Sequence, residues 1–178
     1  MNVHICIPYS IEKNLGKAYN ETMQRIPDGD AACFIDYDVQ MLTPDAGKII
    51  HDYINLYPES LLTCYTNRVT TWAKGQLLTG VPSEDTNIRN HIDLAEKQKE
   101  HLYKVTPIHN YISGFLMVLT KTFWQKTPFP DNGHCLGIDT MYSKSLKRAR
   151  LQVLRMDGLY VFHQYRMVNG ILNKQHLL

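Results

Sequence analysis

The chain has 178 residues, 44% of them hydrophobic and 20% charged, and a formal net charge of +2. That length suits one domain with a real core, and the ordinary composition excludes disorder as the default. The small net charge excludes a general polyanion binder, and no apolar run approaches the roughly 20 residues a membrane-spanning helix needs.

"MNVHICIPYS" has no cationic start ahead of a long apolar stretch, so no secretory leader is expected. "VHICIP" (3–8) alternates, is β-rich and closes at Pro8, which reads as a first strand. Residues 10–26 place Leu15, Ala18, Tyr19, Met23 and Ile26 at helical spacings, and "PDGD" (27–30) is a turn. "AACFID" (31–36) reads as a second strand with apolar side chains on both faces, as in a sheet covered on both sides. Thr43 as N-cap and Pro44 at the first position open a helix over 43–58, whose apolar face is Ile49, Ile50, Tyr53 and Ile54.

"SLLTCYT" (60–66) is a third strand, and 67–85 a long loop able to serve as a lid. An amphipathic helix follows over 86–102, then a strand over 112–120 entered through Gly114 and a short helical turn in 121–137. Residues 139–151 read as a helix and "GLYVFHQYR" (158–166) as a last strand. The β-α-β-α-β order points to an α/β layer structure with a mostly parallel central sheet flanked by helices, whose ligand sites fall at the carboxyl ends of strands. Cys6, Cys33, Cys64 and Cys135 lie far apart with no CxxC pair. Free thiols in a reducing compartment fit that spacing, so the expectation is a cytoplasmic protein without a disulfide framework or zinc site.

Asp36 and Asp38 stand at such a strand end. Alternation puts residues i and i+2 on one side, so the two carboxylates converge while Tyr37 points away. Close carboxylates repel, and burying them unpaired costs several kcal/mol or forces a pKa shift. A hard divalent cation relieves that cost, and oxygen ligands of this kind suit Mg²⁺ or Mn²⁺. The alternative is a pair of solvated turn carboxylates. An EF-hand is excluded, because Met41 stands where its loop needs glycine. His163 ends another apolar strand. It is either a packed core histidine or, at the same sheet edge, a third ligand for Mn²⁺, with Arg166 adding a planar cationic fork for phosphate. Arg68, after the third strand, contacts a phosphate or pairs with a surface carboxylate.

The segments come in a definite order: a strand ending in Pro8 and Tyr9, then "NLGKAYNETM", "ACFIDYDVQML", "SGFLMVLTKTFWQKTPF", "GIDTMYSKSL" and "LYVFHQYR". The ordered set resembles the small nucleotide-sugar glycosyltransferases of the GT-A fold, most of all the family-2-like members, over nearly the whole chain. The resemblance implies one GT-A-like, Rossmann-like domain over 1–178. It implies a metal-dependent hexosyltransferase that moves a sugar from a nucleoside-diphosphate sugar to a hydroxyl of a glycan, lipid-linked or protein acceptor. On that resemblance Asp36 approaches the ribose or a metal-bound water, and Asp38 with His163 holds Mn²⁺ or Mg²⁺ against the diphosphate.

Pro8 and Tyr9 fall where such enzymes seat the base, and Asn14, Lys17 and Asn20 recur in their "NLGKAYN"-like segment. Gly114 falls in the region lining the donor-sugar and acceptor pocket, where Trp124 either stacks on an acceptor or packs in the core. Asp139 matches the acid that deprotonates the acceptor in inverting members, or else is an N-cap. Family members carry a further strand ending in a base-reading acid between the first helix and the D-x-D. Here only one helix and a turn separate Pro8 from Asp36, and UDP is expected by analogy.

The basic stretch "KSLKRARLQVLR" lacks interleaved aromatic residues and any surrounding nucleic-acid module, so nucleic acid is not an expected partner. It reads as a solvated helix face or a peripheral contact with an anionic membrane. A nucleotidyltransferase and an inactive nucleotide- or sugar-binding scaffold of the same fold are the competing functions; "IPYSIEKNLG" has no glycine cluster for the former.

Overall fold

Strands that are apolar on both faces must be covered on both faces, and the computed structural model, which describes residues 1–82 and 84–164, shows the covering layers. In chain order the elements are β1 (Val3–Cys6), α1 (Leu15–Arg25), β2 (Ala31–Ile35), β3 (Val39–Met41), α2 (Ala46–Leu56) and β4 (Ser60–Thr66). A 3-10 segment (Thr71–Gln76), α3 (Ile88–Gln98), β5 (Val105–Pro107), β6 (Leu116–Thr120), α4 (Lys121–Lys126), α5 (Ile138–Arg148) and β7 (Gln152–His163) complete them.

The seven strands form one sheet in the order β1-β2-β6-β4-β7-β3, with β5 also on β7. β1 pairs with β2 and β4 with β7 in parallel, whereas β2–β6, β4–β6, β3–β7 and β5–β7 are antiparallel. The fold is thus α/β with a mixed sheet, which corrects the mostly parallel arrangement expected. β3 and β5 are three residues each, too short to show periodicity, and both run against β7.

Alternation sorts the core into two layers. Cys33, Ile35, Leu62, Cys64, Leu116 and Val118 face α2, which supplies Ile49, Ile50, Tyr53 and Ile54. Ala32, Phe34, Leu61, Met117 and Leu119 face the opposite layer, where α1 gives Tyr19 and Met23 and α5 gives Tyr142 and Leu146. Each large apolar side chain taken fully out of water contributes about 1.5–3 kcal/mol, so these layers fix the sheet.

Several boundaries differ from the sequence expectation for local reasons. α1 starts at Leu15 because the Asn14 side chain accepts from Lys17 N and caps it. α2 is capped at Asp45 rather than Thr43, with Pro44 outside the helix. β6 starts at Leu116 because the peptide of Ser113 bonds the Gln76 side chain (N to Oε1 2.6 Å, Nε2 to O 3.0 Å) instead of a strand. β7 begins at Gln152, and what reads as a break at Asp157-Gly158 is a bulge inside it. There the pairing with β4 jumps from Cys64↔Met156 to Tyr65↔Tyr160. A Cβ on Gly158 would lie 2.6 Å from Leu102 Cα, so only glycine fits that approach. No helix among the described residues is long and apolar enough to cross a membrane.

Candidate metal and nucleotide site

Because β6 runs against both β2 and β4, the carboxyl ends of β2, β4 and β7 and the amino end of β6 share one sheet edge. Asp36, Asn67, His163 and Phe115 stand at those ends. The strand of Asp36 stops at Ile35, so the aspartates do not converge by alternation as expected. Instead Asp36-Tyr37-Asp38 is a tight turn, closed by Val39 N donating to Asp36 O at 3.2 Å. It leads straight into β3, whose register sets Val39 opposite His163. Tyr37, 77% exposed, points out as anticipated.

The turn and that pairing bring ligand atoms of Asp36, Asp38 and His163 within 4.8 Å of one another. Asp36 N also donates to Phe115 O at 3.0 Å, and Gln164 N to Asp38 O at 2.9 Å. His163 is buried, its ring tilted against Phe115 at 5.1 Å between centroids. Its Nδ1 lies 2.9 Å from the Arg68 carbonyl, which can only accept, so Nδ1 carries the proton. Nε2 faces Asp38 Oδ1 at 3.4 Å, and without a proton of its own it would be an acceptor set against an acceptor. Two acceptors that close need positive charge between them, either a second proton on the ring or a cation.

The electrostatics point the same way. Burial pushes the Asp36 carboxyl up to about 6, His163 draws it back down, and Asp38 and Asp139 push it up. Burial likewise raises Asp139, held back by bonds from Thr140 N (2.8 Å to Oδ1) and Gly114 N (3.3 Å to Oδ2). The donor set of two carboxylates and one imidazole nitrogen fits Mn²⁺ or Mg²⁺, and the concentration of partly buried negative charge fits any hard divalent ion.

Asp139 is not the N-cap of α5. Gly137, at φ +78°, takes that place and Asp139 lies in the first turn. Tyr19, which reads as core, reaches the same spot: burial raises its hydroxyl most, Asp36 and Asp139 raise it further, and that oxygen is 3.7 Å from where a Gly114 Cβ would be. Asn67 is a second residue missed. It is fully buried, its Oδ1 accepts from His163 N at 2.8 Å, and its Nδ2 has no partner among the described residues. An asparagine just past a strand gives no signal for this, whereas a tyrosine on an apolar helix face does, since its hydroxyl must go somewhere.

The structure thus gathers Asp36, Asp38, His163, Asp139 and Gly114, with Arg68 joined through its carbonyl. The Arg68 guanidinium lies 3.2 Å from Glu84. Pro8 and Tyr9 lie beyond the end of β1, and Tyr9 is 81% exposed. Asn14, Lys17 and Asn20 are engaged in structural bonds. Asn14 caps α1 and its Nδ2 donates to Asp131 at 2.6 Å; Lys17 pairs with Glu12 at 2.8 Å. Asn20 accepts from Trp124 Nε1 and Phe129 N and donates to Phe129 O, pinning that segment to α1. Arg166 falls outside the described residues. Among known proteins, no family model, curated protein or solved structure matches the chain.

Proposed function

We propose that the chain is a metal-dependent glycosyltransferase of the GT-A type, moving a sugar from a nucleoside-diphosphate sugar, with UDP as the nucleotide, to an acceptor hydroxyl with inversion. The observation that carries the reading is the convergence of Asp36, Asp38 and the Nε2 of His163 within 4.8 Å at one sheet edge, with Asp139 near enough to raise Asp36. A bound Mn²⁺ or Mg²⁺ would supply charge neutralisation on the departing diphosphate. Asp38 and His163 would hold it, with Asp36 between the ion and the ribose. Asp139 is the base for the acceptor hydroxyl. Burial raises its carboxylate, which makes it a stronger base than an exposed one, and Gly114 N–H fixes its Oδ2.

The test is a thermal-shift screen with UDP, with and without Mn²⁺, followed by sugar-nucleotide turnover. The reading expects a shift with UDP only when Mn²⁺ is present, abolished by Asp38→Asn or His163→Ala. Asp139→Asn should keep the shift and lose about 10²- to 10⁴-fold of transfer. Binding without turnover would make the protein a nucleotide-binding scaffold, and nucleotidyl transfer would reassign the reaction. No shift with any nucleotide overturns the proposal.

A further inference from the structure

A cleft lies beside α5, and Asp36, Asp38 and His163 are not among its lining residues. The latter half of α5, the start of the 71–76 segment and the chain leaving β5 enclose a cleft of about 850 Å³. That volume is typical of a pocket for one or a few rings, not of a track for a polymer. Its lining includes Lys144, Lys147 and Arg150, and no Asp or Glu among the described residues. Lys144 and Lys147, three residues apart, share a side of α5, and Arg150 follows in the turn that ends the helix.

Elsewhere Lys17, Lys48, Lys99, Lys121 and Lys126 each reach a carboxylate. Among the described residues Lys144, Lys147 and Arg150 have no such partner, and Lys144 Nζ instead lies 5.9 Å from the centroid of the Tyr111 ring. The lining also includes Trp72, 71% exposed, and Tyr111, aromatic rings on which a sugar ring can lie. Asn110 and Gln152 add amides suited to hydroxyl groups.

The backbone at Arg150 is a separate indication. α5 ends in a Schellman turn, with Arg150 N donating to Lys147 O at 3.2 Å and Leu151 N to Leu146 O at 3.0 Å. The left-handed position of that turn favours glycine, yet it is held by Arg150 at φ +56°. Lys13 and Tyr103 hold similar positive φ elsewhere; at Arg150 the residue in that conformation also lines the cleft.

We infer that this cleft binds a small carbohydrate bearing several anionic groups, whether sulfate, phosphate or carboxylate. The inference does not depend on the reaction assigned to the Asp36 centre. The test is calorimetric titration of the full chain with a trisulfated glucosamine–uronate disaccharide and, separately, with glucose 1,6-bisphosphate, using lactose as the neutral control. The expected result is saturable one-to-one binding of at least one of the two anionic sugars and none of lactose. Lys144→Ala with Lys147→Ala should weaken that binding at least tenfold at unchanged melting temperature. Arg150→Gly should weaken it several-fold while raising the melting temperature, opposite signs that general destabilisation does not produce.

The inference is overturned if neither anionic sugar saturates or if the variants bind like the wild type. Tighter binding to a single-stranded oligodeoxythymidine or to phosphatidylserine vesicles than to either sugar overturns it too. No readout involves transfer, so failure of the glycosyltransferase assignment leaves these results interpretable.

Discussion

Asp36→Asn should stabilise the metal-free protein at neutral pH. A carboxyl moved from 3.8 to about 6 by burial and by its acidic neighbours carries about 3 kcal/mol of penalty when it is ionised. Asp36 is only partly shielded and water relaxes around it, so about 1–2 kcal/mol should be recovered by the neutral amide. For a chain of this size that is roughly 2–8 °C in melting temperature. The sign with pH follows from proton uptake. Between about 4 and 6 the native state holds the Asp36 proton more tightly than the unfolded chain does, so wild-type stability falls as pH rises through that window and is level above it. Asp139, also raised by burial, adds a dependence of the same sign to both proteins and largely cancels in the difference.

The assay is denaturant or thermal unfolding of both proteins in a chelating buffer at several pH values from 4.5 to 7.5. The variant's advantage should be smallest at the acid end and grow to its full size at the neutral end. Adding Mn²⁺ should then reverse the order, because a ligand at about 100 times its dissociation constant contributes roughly 2.7 kcal/mol to the protein that binds it. A variant less stable than the wild type at pH 7.5 without metal would refute the reasoning, since the carboxylate would then be held by favourable contacts rather than against repulsion.

Asn67→Ala removes the acceptor that fixes His163 N, and should cut Mn²⁺ affinity about 10- to 100-fold in a direct titration while the other ligands remain. Tyr142→Phe deletes a buried hydroxyl with no partner among the described residues, so chemical denaturation should show a gain of about 1 kcal/mol; a loss would mean the hydroxyl is satisfied. Gly16→Ala places a Cβ within 1.9 Å of the Pro130 carbonyl oxygen and should cost about 1–3 kcal/mol or more. Gly47→Ala, inside α2 with nothing within 4 Å of the new methyl, should gain about 0.5–1 kcal/mol, so the same unfolding assay must give the pair opposite signs.

What the sequence reveals of this site depends on how local each cause is. The apolar runs at 31–35, 60–66 and 116–120 announce strands because alternation and two-sided burial act within a few residues. The pairing of β3 and β5 with β7 is set by contacts over a hundred or fifty residues away, and three-residue strands leave no periodic trace. The bonds by which Asn14 and Asn20 hold the 129–131 segment leave no sequence signal, because the partners are joined only in the folded chain. Asp36, Asp38 and His163 are legible as residues, though the mechanism that joins them is not alternation.

That mechanism makes the site a product of the sheet rather than of one strand. Asp36 is fixed by the amino end of β6, Asp38 by the strand pair β3–β7, and His163 by the loop after β4 through Asn67 and the Arg68 carbonyl. The Gly158 bulge shifts the pairing of β7 with β4 before Tyr160, and so sets where the strand delivers His163. Of these elements β3 is the weakest, a short strand at the edge of the sheet order. A cation held by all three side chains would join the exit of β2, the entry of β3 and the end of β7 across that weak pairing. Site occupancy and the local stability of this sheet edge are then one equilibrium, in which each strengthens the other.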